Sequence, residues 1–129
     1  MDRTISYLKK LFHILTLLLI ILSLYPGSIL GFLLYGDFKY HPQLTKDFAY
    51  ISSNHLYVYF ILSALGFFSY LKDNKFKLII IYLFFLSFIL EILHFVIPKR
   101  GFEISDLVGN ILGVLIAYIV VIIYKYWRK

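Results

Sequence analysis

The sequence predicts an all-α integral membrane bundle of four transmembrane helices, with both termini on the cytoplasmic side and a long outer loop between helices 1 and 2. Three observations predict it. The 129-residue chain is 61% hydrophobic with a mean hydropathy of +0.84, far too apolar for a soluble domain of that size. Four apolar stretches approach the roughly 20 residues a helix needs to cross a hydrocarbon core of about 30 Å. The lysines and arginines sit at the ends of these stretches and do not gather on one face, so the net charge of +6 reads as a topology signal and not as a nucleic-acid footprint.

The first helix is expected from about Tyr7 to Tyr25, ending at Pro26-Gly27, where the proline ring and the glycine break the turn. Lys9-Lys10 followed by an apolar run looks like a signal peptide, but no small-x-small cleavage site follows. The run is therefore expected to stay as a membrane helix. The segment Ile29 to Tyr35 is apolar but too short to span and return, which places it at the interface or dipping against the bundle. Gly36 to Ser53 is mixed polar and aromatic and completes the outer loop.

The second helix is expected from His55 to Leu71, with Ser53 and Asn54 as caps, and ends in Lys72-Asp73-Asn74-Lys75. That turn is short enough to force the next helix to be an antiparallel neighbour. The third helix covers Lys77 to Ile97 and stops at Pro98; the fourth runs from Ser105 or Asp106 to about Tyr126. The whole of 1–129 reads as a single domain. One set of helix ends carries Arg3, Lys9, Lys10, Lys72, Lys75, Lys77, Lys125, Arg128 and Lys129, the other only Lys39, Lys46, Lys99 and Arg100. The more basic side should be cytoplasmic.

Ionisable groups inside membrane helices are costly, and each is a candidate functional residue. Glu91 lies seven residues before Pro98, roughly 10 Å below the expected outer end of the third helix. His94 follows three residues later on the same face. Asp106 and Asn110 form an i, i+4 pair on the fourth helix, and Gly109 and Gly113, which straddle Asn110, let a neighbouring helix approach closely. His55 and Tyr59 form another such pair on the second helix; Lys99 and Arg100 lie between the third and fourth. Topology alone brings all of these to the outer half of the bundle. His13 and His41 have no visible partner and are discounted.

Such a network fixes helix register when it is structural, because each buried polar group must be satisfied. It binds a ligand if Arg100 meets an anionic group. It is catalytic if Glu91 or His55 works as acid or base. A metal is conceivable through Glu91-x-x-His94 with His55 and Asp106. The absence of cysteine excludes thiolate sites and disulfides.

Glu91-x-x-His94-x-x-x-Pro98-x-Arg100 followed by Asp106-x-x-x-Asn110-x-x-Gly113 resembles the C-terminal signature of the VanZ-like membrane protein family. Ser23-Leu24-Tyr25-Pro26 and His55-x-x-x-Tyr59 resemble that family's upstream anchors. The family commonly has Gln at the position of His94, which lowers the metal hypothesis, and an Asp-Lys pair where this chain has Ile51-Ser52. The resemblance implies His55, Glu91, Arg100, Asp106 and Asn110 as carried-over residues, with no cofactor and no metal expected. It implies a multi-pass location in the bacterial inner or plasma membrane, a role in the cell envelope, and a link to teicoplanin resistance. The expected partners are membrane lipids and a lipid-linked envelope precursor or glycopeptide, with an oligomer allowed. The expected activity is non-enzymatic binding at the outer face; the alternative is acid/base chemistry on an envelope lipid or peptidoglycan precursor.

Overall fold

The computed structural model describes residues 2–129, which form five helices and no β-strand beyond an isolated bridge between Phe48 and Ile51. Helix α1 spans Arg3–Leu24, opened by the Asp2 carboxylate accepting from the Thr4 amide at 3.1 Å. It ends before Pro26, which pushes Tyr25 into extended backbone (ψ 134°). Helix α2, Ile29–Tyr35, is the apolar segment that was too short to span. The Ser28 hydroxyl caps its start by accepting from the Gly31 amide, and Gly36 closes it in the left-handed conformation at φ 70°.

Helix α3 spans Ser53–Tyr70, α4 Phe76–Leu93 and α5 Ile104–Trp127. Three of the helices, α1, α4 and α5, are long and apolar enough to cross a membrane. Helix α3 has 18 residues but carries Asn54, His55, three tyrosines and three serines. It packs against α1, α4 and α5, so its polar groups face protein. The outward faces of α1, α4 and α5 remain apolar, with Ile14, Leu17, Ile81, Phe85, Ile119 and Ile123 about half exposed or more. A contiguous apolar surface of this kind suits lipid.

Two expected boundaries are corrected. The Glu91 helix ends at Leu93, not Ile97; residues 94–97 turn more tightly, Phe95 and Val96 donating to carbonyls three residues back. Proline disfavours helical backbone at the preceding residue, and unwinding starts a turn ahead of it. Glu91 is therefore only about 3 Å along the axis from the helix end, yet only 1% exposed. At the start of α3 the cap is neither Ser53 nor Asn54. The Asp47 carboxylate, from the outer loop, accepts from the Ser53 amide at 3.0 Å, while Asn54 ties the loop down through the Leu44 amide and Pro42 carbonyl.

Helices α3 and α5 form the closest pair. A Cβ on Gly113 would meet the Leu56 carbonyl at 2.6 Å, and one on Gly109 the Ser52 carbonyl at 2.7 Å. Glycine at both positions therefore allows backbone against backbone. The basic ends of α1 and α5 and the α3–α4 turn gather at one end of the bundle, where Lys9 pairs with Asp73 and Lys125 covers the Phe76 ring. The polar cluster occupies the opposite end.

Candidate functional site

Three helix ends and the α4–α5 connection build the cluster. Helix α4 contributes Glu91, whose Oε1 accepts from the Glu103 backbone amide at 3.0 Å. The buried carboxylate thus holds the approach to α5. Its Oε2 lies 3.2 Å from His94 Nδ1, within ion-pair distance if the imidazole is protonated, and has no hydrogen-bond partner among the described residues. His94 reaches the other way to the Ser23 carbonyl at the end of α1, 3.0 Å from Nε2. A carbonyl only accepts, so Nε2 is the protonated nitrogen.

Helix α5 contributes Asn110, 1% exposed. Its amide nitrogen donates to the Ser87 carbonyl at 3.1 Å, which turns Oδ1 toward His55 of α3. His55 Nδ1 donates to that oxygen at 2.7 Å. The far side of the imidazole, Nε2, stands 3.4 Å from Asp106 Oδ2. Asp106, in the first turn of α5, turns to the histidine. Tyr59, one turn along α3, is buried, and its hydroxyl has no hydrogen-bond partner among the described residues.

Arg100 is mostly occupied by structure. Nε donates to the Tyr25 carbonyl at 3.1 Å, and Nη2 to the Leu22 and Gly27 carbonyls, both at 2.8 Å. These carbonyls lie at and just beyond the end of α1, where a cation is favoured by the helix dipole. Burial pulls the guanidinium below its ordinary pKa, and the charges of Glu91 and Asp106 act against that shift.

Two adjoining cavities meet at this cluster. One, about 230 Å³, is lined by His55, Tyr59, Glu91, His94, Arg100 and Asn110 among others. The second, about 330 Å³, is lined by His55, Asp106, His94, Lys99, Arg100 and Glu103 among others. All seven residues singled out from the sequence, His55, Tyr59, Glu91, His94, Arg100, Asp106 and Asn110, line one or both. An apolar groove of about 220 Å³ between α1 and α3, lined by Leu15, Leu18, Ile61 and Leu62, shares Leu19, Leu22 and Val58 with the first cavity.

His41 and Asn54 line both cavities. Sequence spacing could not find His41, because it reaches the site from the outer loop. Burial, then the nearby Arg100 charge, lowers its pKa from the ordinary histidine value. His13 has a partner after all: its Nε2 lies 2.8 Å from the Tyr70 hydroxyl, at the basic end and away from the site.

No curated relative and no solved structure matches the chain. The VanZ/LLP1 family model, by contrast, matches residues 6–125, nearly the full length and every residue of the cluster, and with its apolar helices the chain is a membrane protein that belongs to the VanZ/LLP1 family.

Proposed function

We propose that the chain is a four-span protein of the bacterial cell membrane that binds an amphipathic, lipid-linked ligand of the envelope at its outer face. In this reading the polar head group occupies the cavities around His55, His94 and Arg100, and the chain of the ligand lies in the groove between α1 and α3. The observation that carries it is the continuity of the two spaces: Leu19, Leu22 and Val58 line both the polar cavity and the apolar groove. A small polar solute would not need that groove, whereas a lipid needs both ends. Arg100 keeps Nη1 free of protein hydrogen bonds while its other nitrogens are held. It therefore presents a positioned cation to an anionic head group. A link to teicoplanin resistance rests on the family alone and would follow from capture of a lipid-linked wall precursor or of the glycopeptide itself.

Native mass spectrometry of the purified full chain tests the reading. Wild-type protein should retain an anionic lipid, and Val58→Trp, which fills the shared wall, should lose most of it while circular dichroism stays unchanged. Equal lipid occupancy in a folded Val58→Trp variant would refute the groove as the binding surface.

A further inference from the structure

We infer that His55, Glu91 and Asp106 form a binding site for one divalent transition-metal ion, with zinc or manganese as the chemical type. One ligand atom from each, supplied by α3, α4 and α5 respectively, lies within 4.8 Å of the other two. The site needs no part of the lipid-binding reading.

Hydrogen-bond direction makes the case beyond proximity. The Ser87 carbonyl fixes the Asn110 amide, and Asn110 Oδ1 in turn fixes the proton on His55 Nδ1. Nε2 is then left to face Asp106 Oδ2 at 3.4 Å. In the neutral imidazole Nε2 carries a lone pair, and a lone pair and a carboxylate oxygen at that distance repel unless a positive centre, a metal ion or the second proton of an imidazolium, lies between them. Two ligands about 2.1 Å from a tetrahedral metal are themselves separated by roughly 3.4 Å, the spacing observed here.

Glu91 supplies an independent observation. Its side chain is fully buried, and Oε2 has no hydrogen-bond partner. An ionised carboxylate so placed needs a compensating cation; His94 Nδ1, 3.2 Å from Oε2, makes no hydrogen bond to it and supplies that charge only when its ring carries both protons. The only arginine at the site spends two of its three nitrogens on backbone carbonyls.

The surroundings also match how metal ligands are held. A ligating histidine donates its other ring nitrogen to an oxygen, and a ligating carboxylate is itself hydrogen-bonded. Asn110 does the first for His55 and the Glu103 amide does the second for Glu91. One imidazole and two carboxylates suit a borderline or hard divalent ion and neutralise it. Three protein ligands leave a coordination position open. Both cavities touch His55, with Glu91 in the wall of one and Asp106 in the wall of the other, so that position faces the space between them. His94 stands outside the set, its Nε2 bound to Ser23.

The experiment uses the full chain in detergent, stripped with chelator and titrated separately with Zn²⁺, Mn²⁺ and Co²⁺. At least one ion should bind with unit stoichiometry, and Co²⁺ should give a visible d–d absorption band. Asp106→Asn and His55→Gln should each weaken binding by tenfold or more, and Asn110→Ala, which removes the orienting bond together with the bond to the Ser87 carbonyl, by about tenfold. His94→Gln should bind within about twofold of wild type, since that side chain ligates nothing. Should Glu91→Gln fail to fold, Asp106→Asn still decides, because its side chain is partly exposed. Absence of stoichiometric binding by all three ions overturns the inference, and so does unchanged affinity in folded Asp106→Asn. Lipid retention is read separately, so failure of either proposal is visible without the other.

Discussion

His41 sits in the outer loop with a neutral-leaning environment, because partial burial and the Arg100 charge both disfavour its imidazolium, against the pull of Asp106 and Glu103; the nearby His55 charge also lowers it. Its folded pKa lies below the ordinary 6.5, so the unfolded chain takes up the proton first as pH falls. The stability linked to this group is therefore full above about pH 6.5 and is lost as pH drops through the lowered value. Thermal unfolding between pH 7.5 and 5 should show a falling midpoint in wild type, and His41→Gln should flatten that fall. An identical slope in the variant would remove His41 from the linkage. The residue scale also marks the limit of spacing arguments. Glu91 with His94, Asp106 with Asn110 and His55 with Tyr59 were legible as same-face neighbours because each lies about one helical turn apart, whereas the placing of His55 between Asn110 and Asp106 was not. His41, His13 and the Ser23 carbonyl were not, because their partners lie on other elements and only the packed chain brings them together.

Helix α5 meets α3 through Gly109 and Gly113, and the same two helices carry His55, Asp106 and Asn110, so the closeness of the backbones sets the geometry of the cluster. Gly113→Ala places a methyl 2.6 Å from the Leu56 carbonyl. That atom is backbone and cannot rotate away, so the helices must separate, at a cost of about 1–3 kcal/mol. The variant should unfold at lower temperature in detergent and bind metal more weakly, whereas Gly101→Ala, which meets nothing within 4 Å, should change stability by less than about 0.5 kcal/mol. Equal stability of the two variants would show that α3 and α5 tolerate separation. The glycine contact was readable from its four-residue spacing. The short helix α2 was half readable: its apolar character placed it against the bundle or the interface, and Ser28 and Gly36 were the capping residues that make it a helix. The end of α4 was misread because the proline marks where a helix must have stopped, and not where hydrogen bonding first tightens.

At the scale of the whole molecule, hydropathy alone marks three helices as long and apolar enough to cross a membrane and leaves α3 aside, and the reason lies in its position. A helix packed against α1, α4 and α5 turns apolar Val58, Ile61 and Phe68 outward and buries Ser53, Tyr59, Ser63, Ser69 and Tyr70, so it can carry polar side chains without exposing them to hydrocarbon. Its polar residues fall along the length of the helix and not at one end, and those at its start, His55 and Tyr59, help build the site. If α3 crosses, the outer loop before it and the lysine-rich turn after it lie on opposite sides of the membrane, with the turn in the cytoplasm. The chain has no cysteine, so single cysteines report without background. Tyr50→Cys, at a position 87% exposed, should react with a membrane-impermeant maleimide in intact spheroplasts, and Asn74→Cys only after permeabilisation. If α3 instead lay along the surface, both positions would face the same side. Equal labelling of the two in intact spheroplasts would therefore rule out the fourth span, and with it the placement of the cluster at the outer face.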